Sequence, residues 1–215
     1  MIIETLNITF GPTILTLTNQ RAIFWEESNA LILSDLHLGK AAHFRKHGIA
    51  IPTTISVKDL NRLSSLISHF EVDKVIIVGD LIHASNNTEV ERFKHFKQQH
   101  LSVDFILIKG NHDRLSNIFL TELGIKNAYK TLLYNKILFC HHPFDYEQEY
   151  CISGHIHPGV KFKMGNKQRL SLPCYAVCQQ QLILPAFSEF SGLDTKTLHD
   201  DTTYYPFFEQ GIFKL

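Results

Sequence analysis

The sequence has no excess of charge of either sign. Lys and Arg number 21 and Asp and Glu number 21 among 215 residues, a formal net charge of +0, so no global basic field marks a nucleic-acid partner, and charge is silent about substrate. Cysteine is scarce. The four thiols, Cys140, Cys151, Cys174 and Cys178, have spacings that match neither a zinc ribbon nor a dense disulfide framework, and they read as reduced. No apolar run approaches the length that spans a bilayer, and the opening MIIETLNITFGP lacks the basic stretch and apolar segment of a signal peptide; a cytoplasmic location without a membrane partner is the expectation. Internal repeats, low-complexity tracts and charged linkers are also missing. Residues 1–215 therefore read as one domain, whose 44% hydrophobic content suffices for a substantial core. Histidine, by contrast, is plentiful: there are 13, several beside Asp or Asn at the ends of apolar runs.

Short apolar or alternating runs at 14–17, 22–25 and 30–33, separated by Gly-Pro, Asn-Gln and Ser-Asn, read as strands. Pro52 then precedes Leu60, Leu63, Ile67 and Phe70 at helical spacing, with Ser56 and Asp59 resembling a capping box, which predicts an amphipathic helix on a sheet. The pattern recurs as a strand at 74–78, a helix over 88–100 lined by Val90, Phe93 and Phe96, and a strand at 105–108. A helix over 115–123 stopped by Gly124 and a strand at 137–140 follow. This βαβ alternation predicts an α/β class. Beyond His157 the helical signal ends. Gly165-Asn166 joins two short runs as a hairpin, and runs near Ala176, 182–184 and 212–215 make the C-terminal third mostly β.

Five buried-looking runs end in polar clusters: LILSDLH, VIIVGDLIH, FILIKGNHD, KILFCHH and YCISGHIH. Ligands of α/β sheets bind beyond the carboxyl ends of strands, so these ends can converge on one pocket. Asp35-x-His37 puts a carboxylate and an imidazole on the same side of an extended backbone, as does His155-x-His157 for two imidazoles, with Gly154 permitting close approach. Asp80, after a strand and a glycine, can bridge two cations through its two oxygens. In Gly110-Asn111-His112-Asp113 the Asn carbonyl can ligate, the His can move a proton and the Asp can fix the imidazole tautomer. His141-His142 supplies a further imidazole. Singly, each has an ordinary reading as a cap, a turn or a packed histidine; five in one order at strand ends point to a metal site.

The ordered series D-x-H, GD, GNHD, HH and GHIH, from Asp35 to His157, resembles that of the calcineurin-like metallophosphoesterase superfamily. The resemblance implies a four-layer sandwich of two stacked mixed sheets flanked by helices. It also implies a first metal held by Asp35, His37, Asp80 and His157 and a second held by Asp80, Asn111, His141 and His155, with Asp80 bridging. His141 is preferred to His142 because it stands two residues before the proline, as the superfamily ligand often does. More narrowly, LHLGKAAHFRKHGIAIP, HHPF, SGHIHPGV, LPCY and LPAFSEFSG resemble a compact bacterial subgroup, the ligase-associated DNA damage response endonucleases. That implies DNA as substrate and a DNA ligase and a helicase as functional partners.

Two adjacent ions can clamp a phosphate, lower the pKa of a bridging water and stabilise both oxygens of an in-line displacement. Mixed His, Asp and Asn ligands suit borderline first-row ions, which puts Mn²⁺ first, with Fe and Zn²⁺ not separated from it by ligand type. His112 is the expected general acid and Asp113 its orienting partner. His83 and His142 read equally as supporting or as packed histidines. Lys40, His43, Arg45 and Lys46 form a cationic loop that can hold a phosphate, and Lys161, Lys163, Lys167 and Arg169 a second basic stretch; both also read as solvated surface. The leading expectation is a two-metal phosphodiesterase acting as a DNA nuclease in repair. Against it stand a phosphohydrolase of small nucleotides or of a nucleotide-linked lipid precursor, and a metal-stabilised non-catalytic subunit, which would not need the Asn-His-Asp set.

Overall fold

A strand with large apolar side chains on both faces must be covered twice, and residues 30–33, 74–78 and 105–108 form such strands. The computed structural model describes residues 1–52, 54–84, 87–113, 115–143, 149–165, 168–196 and 201–215. In the first sheet, β1 (Thr5–Phe10), β2 (Thr13–Thr18), β3 (Ile23–Trp25) and β4 (Ala30–Leu33) are successively antiparallel. After α1 (Lys40–Lys46) and α2 (Ile55–Phe70), β5 (Lys74–Val78) joins parallel to β4. Next, α3 (Thr88–Gln99) leads to β6 (Asp104–Ile108) and α4 (Asn117–Glu122) to β7 (Asn127–Tyr129), again in parallel. The second sheet holds β8 (Thr131–Tyr134), β9 (Ile137–Cys140), β10 (Tyr150–Ser153), β11 (Gly159–Lys163), β12 (Arg169–Cys178), β13 (Gln181–Ile183), β14 (Thr203–Phe208) and β15 (Gly211–Ile212). Its order is β15-β14-β12-β13-β10-β9-β8, with β11 hairpinned onto β12. The fold is the expected one, two mixed sheets flanked by helices.

Strand alternation explains the stacking. Leu31, Leu33, Val75, Ile77, Phe105 and Leu107 belong to one core with Leu63 and Leu66 of α2, Phe93 of α3 and Leu120 of α4. The intervening Ala30, Ile32, Ile76, Val78, Ile106 and Ile108 belong to another, with Ile137, Phe139, Ile152 and Leu182 of the second sheet. Each of these Val, Leu, Ile and Phe side chains contributes about 1.5–3 kcal/mol by leaving water. The two sheets are also tied at one end, where Phe187 N–H donates to Ser34 O at 2.8 Å and Ser188 N–H to Asp35 O at 3.2 Å.

Several local expectations need correction. The Ser56/Asp59 capping box does not form: Thr54 stands at the N-cap without a side-chain bond, and Asp59, buried, pairs with Arg62 at 2.7 Å. Because the helix starts at Ile55, Ser56 already lies inside it and cannot stand at the N-cap. The cationic loop at Lys40 is the helix α1, docked because Glu89 of α3 accepts from Gly39 N–H at 2.8 Å and pairs with Arg45 at 3.0 Å. Strands β1, β7, β8 and β14 escaped the pattern reading. In β14, Pro206 argues against a strand, yet it pairs opposite Cys174. The β11–β12 hairpin is present, but Asn166 of its expected turn, Lys167 of the basic stretch and Phe144 of the HHPF element lie outside the described residues. The four cysteines are free thiols. Among the described residues no helix is long and apolar enough to cross a membrane.

Candidate metal centre

The ends of β4, β5 and β6 in one sheet and of β9 and β10 in the other deliver the candidate residues to one place. Backbone bonds extend the ladders into the loops: Asp35 N–H donates to Gly79 O at 3.0 Å, His37 N–H to Asp80 O at 2.9 Å and Gly154 N–H to His141 O at 3.1 Å. The expected extended backbone at the two x-separated pairs is not found. Asp35, His37, Asp80, His155 and His157 have φ of 56°, 50°, 50°, 70° and 54°, all left-handed. Such residues cost on the order of 1–3 kcal/mol each and persist where surrounding structure dictates them. The curled backbone nonetheless turns both members of each pair inward. A Cβ at Gly79 would fall within the His141 ring, and one at Gly154 would lie 2.7 Å from Asp35 Oδ2, so both motif glycines are there for close approach.

Among the described residues three linked groups result, the ligand atoms of each lying within 4.8 Å of one another: Asp35, His37 and His157; Asp35, Asp80 and His141; His141, His142 and His155. Asp35 Oδ1 faces His157 Nε2 at 3.2 Å and His37 Nε2 at 3.8 Å. Asp80 Oδ2 lies 3.5 Å from His141 Nε2, which is 3.2 Å from His155 Nδ1. Asn111 Oδ1 is 2.6 Å from His142 Nε2, and the His142 and His155 rings lie 4.0 Å apart. Of the two adjacent histidines, His141 is buried and turned toward Asp80, whereas His142 is exposed and reaches Asn111.

The donor set fits divalent cations. Asp35 Oδ1 and both ring nitrogens of His37 are buried without hydrogen-bond partners among the described residues, a cost of about 1–3 kcal/mol for each such atom that coordination would remove. Burial pushes the His37 imidazole down to about 3, against the pull of Asp35 and Asp80, and a neutral imidazole is the form that binds metal. Burial works to raise Asp35 and Asp80, but the His157 imidazole beside Asp35 and the His141 imidazole beside Asp80 outweigh it and hold both carboxyls below their ordinary range.

Not every expected role survives. Asp113 does not orient His112: its carboxylate accepts from the backbone N–H of Leu81, Ile82 and Gly110 at 3.3, 3.0 and 2.9 Å, and these donors leave it clamping the β5 and β6 ends together. His112 is exposed, its N–H held by Asp80 Oδ1 at 3.0 Å and its ring 4.4 Å from that of His83. Of the cationic group, Lys40 is half-buried, with its backbone N–H on His37 O at 3.0 Å; burial lowers its ammonium, opposed by Asp35 and Asp80. Arg45 pairs with Glu89 at 3.0 Å and reaches the carbonyls of Ile51 and Pro52 at 3.4 Å, so part of its donor capacity is engaged within the fold. Exposed His43 packs its ring 4.4 Å from His47, and Lys46 is exposed at the end of α1. Glu89, which positions the segment after His37, carried no signal in the sequence, because its partners stand 44 and 50 residues away.

Known proteins bear on this geometry. A family model for calcineurin-like phosphoesterases matches residues 29–156. The Pseudomonas putida nuclease MPE superposes with a TM-score of 0.81 at 26% identity, covering 94% of this chain and 96% of that one. A protein named "Probable cyclic nucleotide phosphodiesterase" from Vesicomyosocius okutanii subsp. Calyptogena okutanii (strain HA) is 28% identical over 89 residues. That match spans 41% of this chain and only 35% of the relative's length.

Proposed function

The chain belongs to the calcineurin-like phosphoesterase family and is a metal-dependent phosphoesterase, and from that premise we propose a two-metal phosphodiesterase that cuts DNA in repair. The observation that carries the reading is the chain of three donor groups sharing Asp35 and His141, with Asp80 in the middle one. In it, Asp35, His37, Asp80 and His157 would hold one ion, and Asp80, Asn111, His141 and His155 the other. His142 stands ready beside Asn111. Mn²⁺ is the ion we propose first.

Two divalent ions, when bound, supply Lewis-acid activation of a phosphate and of water. The remaining work falls to side chains. Lys40, whose backbone N–H is bonded to the carbonyl of His37, offers a cation to a non-bridging phosphate oxygen. His112 protonates the leaving oxygen from the exposed rim, its backbone fixed on Asp80. The nuclease name of the structural relative and the subgroup motifs LPCY and LPAFSEFSG support DNA, with a ligase and a helicase as functional partners in the cytoplasm. The cyclic nucleotide relative favours a second reading, a small-nucleotide phosphodiesterase.

The deciding experiment is Mn²⁺-dependent hydrolysis of a synthetic phosphodiester beside the matching monoester, with Asp80→Ala as blank, followed by DNA and cyclic nucleotides. Diester and DNA cleavage are expected. Cleavage of cyclic nucleotides alone moves the protein to the second reading, and bound metal without turnover makes it a non-catalytic subunit. His112→Ala should retain both metals yet lose about 10²–10⁴ in kcat; loss of metal in parallel would remove its role as acid.

A further inference from the structure

The strand pairing sorts the second basic stretch in a way that alternation alone does not. In the β11–β12 hairpin, Lys163 stands directly opposite Arg169 and Lys161 opposite Ser171, while Phe162 opposes Leu170 and Val160 opposes Leu172. Residues directly opposite in an antiparallel pair share a face, so one side is cationic and the other apolar. The apolar side is anchored, with the Phe162 ring 6.3 Å from that of Phe213, and the cationic side is exposed. Like charges directly opposite repel. Among the described residues, none of Lys161, Lys163 and Arg169 has an acidic partner.

The hairpin is also bound to the metal cluster. It begins two residues after His157, and its root is laced to that segment: Asp194 N–H donates to His157 O at 2.9 Å, Gly159 N–H to Asp194 O at 2.8 Å and Cys174 N–H to Pro158 O at 3.1 Å. Chain reach limits Lys161 to about 14 Å, and Lys163 to about 22 Å, from His157, measured between Cα atoms. Repelling cations held at that range from a phosphodiester-cleaving site call for a polyanion between them.

We infer that the cationic face of the β11–β12 hairpin binds the backbone of a nucleic-acid strand several nucleotides from the scissile bond. This deepens the nuclease reading and rests on it for the choice of nucleic acid over other polyanions. A strand that covers only part of that distance makes fewer of these contacts, so affinity rises with strand length.

The test compares the full chain with a Lys161→Gln, Lys163→Gln, Arg169→Gln triple variant by fluorescence anisotropy, using a ~30-nucleotide and a ~4-nucleotide labelled DNA strand over roughly 50–200 mM salt. The variant should bind the long strand about 10-fold or more weaker at low salt, with a log–log salt slope shallower by roughly 2, as three lost contacts to a single strand require. A Lys161→Arg, Lys163→Arg variant should restore both affinity and slope, which a folding defect would not allow. Unchanged affinity and slope overturn the inference, as does an equal loss on the short strand. The nuclease reading fails separately: hairpin-dependent binding without DNA cleavage refutes the nuclease and keeps the surface, and cleavage indifferent to the triple variant does the reverse.

Discussion

Asp80→Asn should lower kcat for phosphodiester hydrolysis by at least about 10³ while leaving the fold intact. Asp80 is 3% exposed and is shared between strand ends: one oxygen accepts the His112 N–H at 3.0 Å and the other lies 3.5 Å from His141 Nε2. Asparagine keeps an acceptor for His112 and nearly the same volume, so packing is preserved. What it loses is the charge and the second oxygen with which the proposed bridge would face two cations. Metal analysis should therefore show about one ion per chain for the variant and two for the parent, alongside an unchanged circular dichroism spectrum. Two ions and near-parental turnover in the variant would take the bridging role from Asp80.

The second large effect is on stability. Chelator-stripped protein should gain about 8–16 °C in melting temperature when Mn²⁺ is added near a thousandfold above its Kd. One site at that excess contributes about 4 kcal/mol, and a domain of this size shifts about 2–4 °C per kcal/mol. The gain has a visible origin in the buried atoms of Asp35 and His37 that have no hydrogen-bond partner among the described residues, which coordination would satisfy. Mg²⁺, which prefers oxygen donors, should give a smaller shift. Scanning fluorimetry reads the difference directly, and a shift below about 2 °C with Mn²⁺ would argue against a metal centre. His112→Ala should keep the full shift and Asp80→Asn only part of it.

Much of the site was legible because its signals are local. A run such as VIIVGD or YCISGHIH carries both the strand and the donors at its end within a few residues, and the order of five such runs survives any folding. The same locality explains the misses. Asp113 looked like a partner for the adjacent His112, but its carboxylate goes to Leu81 and Ile82, 32 and 31 residues away. Arg45 reads locally as a free cation, but Glu89 of α3 lies against it. Strand β14 was hidden by Pro206, whose ring is tolerated opposite Cys174.

By itself the sequence determined the α/β class, the helices on the first sheet and the kinds of atoms brought to the strand ends, since apolar period and short motifs depend only on neighbouring residues. Tertiary structure alone decided the left-handed backbone at Asp35, His37, Asp80, His155 and His157, the turning of His141 inward and His142 outward, and the gathering of Lys161, Lys163 and Arg169 on one face of a hairpin. Each depends on which distant element lies opposite, and that is set by the packing of two sheets against each other.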